Sequence, residues 1–157
     1  MHEVSIEPDY FQFYVRRHGA AWASDAVPQE GYRDRLWTDG GFVVVGTYRK
    51  FEAMPVRVEV LDADPGPPEA GWQHVAEVSL GSGGPVELFH WGVDDPALTI
   101  DAPTEPLRLR AHWQGLVPGR FEGLDDDGRS DERVLLQLWP SVLGPPGVLR
   151  RWEGWPL

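Results

Sequence analysis

The chain has 157 residues and carries 25 Asp and Glu against 14 Lys and Arg, which gives a formal net charge of −11. A surface of this charge repels nucleic acid and anionic membranes, so we expect neither as a direct partner. The absence of cysteine excludes disulfide bonds, thiol nucleophiles and cysteine-based zinc sites. The first residues show no basic region followed by an apolar run, and no stretch is apolar enough to span a membrane. We therefore expect a cytoplasmic location.

Glycine and proline are frequent, with 18 and 15 residues, and the chain also contains eight tryptophans. Many turn-forming residues beside a large aromatic content favour short strands over long helices. We therefore predict an all-β fold in a single domain over 1–157. The strand spacing favours a jelly-roll-like β-sandwich of about eight or nine strands, with at most one short helix.

The N-terminal part contains the first strand signal. Apolar residues alternate along the chain up to Phe13 and Val15, which predicts a strand within 3–16 that Pro8 could divide in two. Between 20 and 37 the pattern is irregular and indicates at most a short helical turn.

The middle of the chain predicts further strands at regular spacing. The predicted segments are 42–48, 54–61, 72–80, 86–91 and 98–100. The segment 62–71 is rich in proline and glycine, but the strand pattern continues on both sides, so we interpret it as a loop within one domain. We expect the tail, 141–157, to pack on the edge of a sheet.

The region 106–140 predicts a strand, a loop and a second strand. Between Leu107 and Trp113 apolar residues alternate with polar ones, which is typical of a strand with one solvent-facing side. The segment 134–139 is apolar almost throughout, so we predict a central strand that is covered on both faces.

The connection between these two strands is the most acidic segment of the chain, with six carboxylates and one arginine in 122–132. It matches a calcium-binding loop poorly, because a glycine comes too early and the closing glutamate is missing. Two interpretations stay open: a solvated loop that protects the apolar strand from aggregation, and a recognition surface for a basic protein. The candidate partner-binding residues are Asp125, Asp126, Asp127, Asp131 and Glu132.

No sequence motif indicates catalysis. The turn at 81–84 contains a serine between glycines, but it lacks the strand-to-helix context of a nucleophile elbow, and no phosphate-binding loop is present. No two of the five histidines lie within four residues of each other, so no local metal-ligand spacing exists. We predict a protein that is not an enzyme and has no metal and no cofactor. Among the three functions that we consider, a hydrolase that uses His90 or His112 with a nearby carboxylate ranks last.

A second class of function is a β-sandwich that binds a small ligand such as a carbohydrate. Exposed tryptophans could stack on a sugar, and two histidines that each precede a tryptophan could share one polar sheet face. The candidate ligand-binding residues are Gln12, His90, His112, Trp22 and Trp152.

Several short patterns occur together in one order along the chain. They are YFQFYV at 10–15, a polar segment that ends at 31–32, a glycine turn with a buried strand, and the closing strands 107–113 and 132–139 with their acidic connection. This order resembles the competence protein J family, whose members are small acidic cytoplasmic inhibitors of a DNA-uptake nuclease. The resemblance implies a β-sandwich and a non-catalytic role, as a stoichiometric inhibitor or immunity-like protein for a nuclease or another basic protein. The proline-rich loop and the tryptophan-rich tail depart from the family pattern.

Overall fold

The computed structural model describes the chain except for residues 22–27, 91–94, 119–123, 125–126, 128 and 155–157. The described residues form eleven strands and one short helix in two sheets, which confirms the predicted all-β fold class. In chain order the elements are β1 (His2–Ile6), β2 (Gln12–Arg17), α1 (Gln29–Asp34), β3 (Leu36–Thr38), β4 (Phe42–Gly46), β5 (Met54–Val60), β6 (His74–Leu80), β7 (Val86–Phe89), β8 (Leu98–Ile100), β9 (Leu107–Gln114), β10 (Arg133–Pro140) and β11 (Gly147–Arg150). No helix in the described part of the chain is long and apolar enough to cross a membrane.

The larger sheet has six strands in the order β1-β5-β10-β9-β6-β11. The apolar strand β10 lies between β5 and β9, which is the central position that its sequence predicts. It runs parallel to β5, where Val134 is opposite Val56, and antiparallel to β9, where Leu136 is opposite Ala111. The edge strands are β1 and β11, so the first and last strands of the described chain lie on opposite edges of this sheet.

The smaller sheet has five strands in the order β3-β4-β2-β7-β8, and all its pairs are antiparallel. The strand signal within 3–16 is therefore divided between the sheets, because β1 belongs to the larger sheet and β2 to the smaller one. The chain crosses between them at 7–11. Tyr10 and Phe11 adopt positive φ angles of 46° and 71° in this crossing.

Apolar side chains from both sheets meet in one hydrophobic core. Phe13 and Val15 of β2 are fully buried, and so is Leu136 of β10. Trp113 of β9 is also fully buried, and its indole N–H donates to the carbonyl of Gly46 at 2.8 Å. This bond links the larger sheet to the end of β4 in the smaller one and satisfies the polar atom of a buried tryptophan.

The polar face of β9 is covered, so the predicted solvent-facing side of this strand is wrong. Arg110 is only 3% exposed. Its guanidinium donates to the Glu77 carboxylate and to the carbonyl of Gly66, both at 2.6 Å, and lies over the ring of Trp139. Because Gly66 belongs to the proline-rich loop, that loop folds over β9. A charged side chain that is paired and hydrogen-bonded in this way can be buried.

Arg17 joins two loops at one end of the fold. It ends β2 and is 1% exposed. Its guanidinium donates to the carbonyls of Gly81, Gly84, Pro103 and Glu105 at distances between 2.5 and 2.9 Å. The first two carbonyls lie between β6 and β7 and the other two between β8 and β9, so one side chain fixes two of the connections between the sheets.

His74 links the C-terminal tail to helix α1. Its Nε2–H donates to the carbonyl of Asp34, the last residue of the helix, at 2.8 Å, and its Nδ1 accepts the backbone N–H of Trp152 at 3.1 Å. The neutral ring satisfies both bonds in one tautomer, and burial lowers the pKa of His74. The tail therefore follows the sheet edge, where β11 pairs with β6 and Trp152 packs against the core.

Candidate protein-binding surface

The acidic connection between β9 and β10 ends at a buried carboxylate. Glu132 has no exposed surface. Its two carboxylate oxygens accept hydrogen bonds from the backbone amides of Tyr48, at 2.5 Å, and Arg49, at 3.1 Å. Both residues follow β4 of the smaller sheet. Glu132 therefore fixes the end of the acidic connection to a loop of the opposite sheet.

Two arginines lie around this carboxylate. The guanidinium of Arg49 donates to the carbonyls of Ser130 at 2.6 Å and Glu132 at 3.3 Å, and also to the carbonyl of Ala53. Arg35 follows helix α1 with a φ of 60° and interacts electrostatically with Glu132. Burial lowers the pKa of Arg35 to about 10, against the opposing effect of the Glu132 charge.

The protonation of Glu132 is set by competing causes. Burial raises its pKa to about 7, while the two amide donors and the two arginines act in the opposite direction. A buried carboxylate is stable only when donors and cations replace its lost water. The charged state of Glu132 therefore depends on the contacts of Arg49 and Arg35.

The other end of the acidic connection begins at Gly115, directly after β9. This residue has a φ of +79°, which glycine adopts without strain. A Cβ atom at this position would overlap the backbone carbonyl of Asp131. Glycine therefore lets the two ends of the connection approach each other closely.

The five predicted partner-binding carboxylates do not form one uniform group. Asp127 and Asp131 are exposed, whereas Asp125 and Asp126 lie outside the described residues. Glu132 is buried, so the prediction that it meets a partner directly is wrong. Its carboxylate holds the segment in place instead. The sequence gives no signal of this burial, because Glu132 is one of six carboxylates in the same segment.

The alternative ligand-binding residues are dispersed over the fold. Gln12 begins β2 of the smaller sheet and donates to the hydroxyl of Tyr14. His90 follows β7 of the same sheet and accepts the backbone N–H of Glu7 at 3.0 Å. His112 lies in β9 of the larger sheet. The two histidines therefore do not share a sheet face, which overturns the expectation of a common polar site.

The remaining candidates for a ligand site offer little surface. His112 is 2% exposed, its Nδ1–H donates to the carbonyl of Leu135 at 3.1 Å, and burial lowers its pKa to about 4. Trp152 is half-buried, with its ring edge-on to Tyr48, and Trp22 lies outside the described residues. Among the residues that the structure describes, no cluster of three or more His, Asp or Glu could hold a metal ion.

An exposed aromatic pair includes Phe51, which lies two residues after Arg49 in the sequence. The sequence analysis did not predict this pair. Tyr10 and Phe51 are 65% and 46% exposed, and their rings meet edge to face with centroids 5.1 Å apart. The Nζ of Lys50 lies 5.2 Å from each ring centroid. In the sequence, the available signal was Phe51 itself, an aromatic residue in the polar turn that follows a buried strand.

These features define a class: an all-β protein of two sheets whose acidic connection, between its last two long strands, is anchored to the opposite sheet. The fold is similar to that of ComJ. The solved structure of ComJ, inhibitor of the DNA degrading activity of NucA, from Bacillus subtilis, superimposes with a TM-score of 0.57 and 11% identity and covers 90% of this chain and 96% of ComJ. A structure described as crocagin biosynthetic gene J has a TM-score of 0.52 and 16% identity over 90% of this chain and 99% of its own. The sequence itself matches no known family profile and no curated protein sequence. The ComJ-like fold confirms the resemblance seen in the sequence.

Proposed function

We propose that this chain is a non-catalytic cytoplasmic inhibitor that binds a nuclease or another basic protein. The observation that carries the proposal is the ComJ-like fold, which extends over 90% of this chain and 96% of a protein described as an inhibitor of a nuclease. The net charge of −11 supports the same role. Carboxylates can pair with the arginines and lysines that otherwise hold the phosphates of DNA.

The acidic connection is the proposed contact with the partner. Asp127 and Asp131 are exposed in the structure, and Asp125 and Asp126 belong to the same segment of the sequence. Complementary charge mainly accelerates association and selects the partner. Because Glu132 holds the C-terminal end of the segment, less conformational freedom is lost there on binding.

A tagged form of the chain tests the proposal in lysate of its source organism. Capture is compared at ~0.1 M and ~1 M salt, between which the screening length falls from ~10 Å to ~3 Å. We expect a basic protein that is retained at low salt and released at high salt. An equimolar amount of the chain should then suppress DNA cleavage by that purified protein. A captured protein whose DNA cleavage is absent or unaffected contradicts the proposal.

Charge-neutral variants test the residues. The double variant Asp127→Asn/Asp131→Asn should slow association about 3- to 10-fold and leave thermal stability nearly unchanged, because both side chains are exposed. The matched control is Asp39→Asn/Asp62→Asn, which removes the same charge from exposed positions in other loops. Equal slowing by both pairs would show that overall charge, and not the acidic connection, directs the partner.

A further inference from the structure

The aromatic patch, which we define as Tyr10, Lys50 and Phe51, is held on the surface by a strained turn. Tyr10 and the following Phe11 have φ angles of 46° and 71°, a region in which any side chain crowds its own backbone. Two hydrogen bonds hold the turn: the amide of Thr47 donates to the Phe11 carbonyl at 2.7 Å, and the Phe11 amide donates to the Lys50 carbonyl at 3.4 Å. Strain of this kind collects at binding sites, and here it places an exposed ring against Phe51.

The aromatic patch shares a loop with Arg49, which is bonded to the acidic connection. Arg49 directly precedes Lys50, and its guanidinium donates to the Ala53 carbonyl in the same loop and to the Ser130 carbonyl in the acidic connection. The carboxylates of Glu52 and Asp131 both act electrostatically on this guanidinium. The loop that carries Phe51 therefore also carries the carboxylate of Glu52, and Arg49 bonds this loop to the acidic connection.

We propose that the aromatic patch is the apolar anchor of the partner interface, and that its occupant is a basic protein with an apolar pocket beside its lysines and arginines. The existence of a basic partner rests on the proposed function. Charge selects this occupant, because a net charge of −11 repels a second copy of the chain as well as acidic surfaces. Aromatic side chains at the centre of a charged rim are the usual arrangement of a binding hot spot.

The two parts of this surface have different kinetic roles. Carboxylates attract the partner over a distance and raise the association rate, an effect that salt screens. Rings that are desolvated in a pocket hold the partner after encounter and lower the dissociation rate. The patch therefore predicts an affinity component that is insensitive to salt.

Ring-deleting variants test this assignment on the basic protein captured and purified as above. Tyr10→Asn removes one ring and keeps a residue that tolerates a positive φ, and Phe51→Ser removes the other. The control is Tyr32→Asn, since Tyr32 is 53% exposed and lies on α1. Each patch variant should raise Kd at least ~30-fold, mainly through faster dissociation, and the control less than ~3-fold. Circular dichroism melting curves check that each variant is folded.

The outcomes separate this inference from the proposed function. If the patch variants bind the partner as tightly as the control variant does, the aromatic patch is not part of the interface, and the proposed inhibitor role is unaffected. If the captured protein does not cleave DNA but binds the patch variants more weakly, the inhibitor role is wrong. The role of the aromatic patch in binding is then supported. Dimerisation of the native chain that Tyr10→Asn abolishes would make a second copy the occupant and overturn the proposal. The proposal is also overturned if no basic protein is captured, or if both patch variants are unfolded.

Discussion

Arg49 contacts Glu132 twice: its backbone amide donates to the Glu132 carboxylate at 3.1 Å, and its guanidinium donates to the Glu132 backbone carbonyl at 3.3 Å. The buried end of the acidic connection and the loop after β4 therefore form one unit. The stability of this unit depends on the protonation of one carboxyl, which makes it measurable as a function of pH.

Replacing Glu132 by Gln should remove one component of the pH dependence of stability. Burial raises the pKa of Glu132 from 4.5 to about 7. Between these values the folded state binds more protons than the unfolded state, so the contribution of Glu132 is full below pH 4.5 and is lost as the pH rises through 7. The loss is on the order of 3 kcal/mol. The free energy of unfolding in urea is measured across this pH range for the native chain and for Glu132→Gln. The difference between the two should change with pH. A constant difference contradicts the assignment.

The contribution of His112 to stability should have the opposite pH dependence to that of Glu132. Burial lowers its pKa from 6.5 to about 4, so the unfolded state binds more protons between these values. The contribution of His112 is then present above pH 6.5 and is lost as the pH falls towards 4, by on the order of 3 kcal/mol. His112→Asn keeps a donor for the Leu135 carbonyl but does not titrate, so its stability should fall less on acidification. Nitrogen NMR of the native ring checks the cause, and a titration midpoint near the ordinary histidine value would refute it.

Arg17→Met should destabilise the fold strongly. The substitution preserves much of the buried side-chain volume but leaves four carbonyls without their donor. We expect a cost of at least about 3 kcal/mol in the free energy of unfolding in guanidinium chloride. Arg57→Met is the control, because Arg57 is half exposed and pairs only with the exposed Glu3 among the contacts described, so its loss should be below about 1 kcal/mol. Similar costs for the two variants would show that the Arg17 contacts add little.

Two glycine substitutions separate backbone strain from steric overlap. Gly66 and Gly115 have φ angles of +83° and +79°, but a Cβ at Gly66 meets nothing within 4 Å, whereas one at Gly115 overlaps the Asp131 carbonyl. Gly66→Ala should therefore cost about 1 kcal/mol, from the left-handed backbone alone. Gly115→Ala should cost at least about 3 kcal/mol, because the ends of the acidic connection must separate. Thermal unfolding of both variants measures the difference, and equal costs would mean that the overlap is relieved at little expense.

The long strands are predictable from the sequence, because their periodicity reflects burial directly. The apolar pattern at 134–139 lies within β10, and the alternation at 107–113 lies within β9. The short edge strands β3 and β11 raise the number of strands to eleven and were not predicted. Segments of three or four residues often show no clear period, although the three-residue edge strand β8 was predicted.

The candidate surface is less predictable, because it depends on contacts between distant parts of the chain. The Glu132 carboxylate is satisfied by amides that lie 83 and 84 residues earlier in the sequence. Tyr10 and Phe51 likewise meet only because the crossing between the sheets is bonded to the loop after β4. A local pattern identifies an acidic segment, but it does not show which of its carboxylates is buried or what lies beside it.

The parallel pairing of β5 with β10 also determines the order in which the chain can complete its fold during synthesis. The smaller sheet has all its strands once Ile100 has left the ribosome, but β5 and β9 each keep an open edge until β10 is available. At about 5–20 residues per second this interval lasts several seconds, and open edges invite pairing with other chains. The acidic segment 122–132 emerges immediately before β10. We expect its charge to disfavour pairing with other copies of the chain while β10 is being completed.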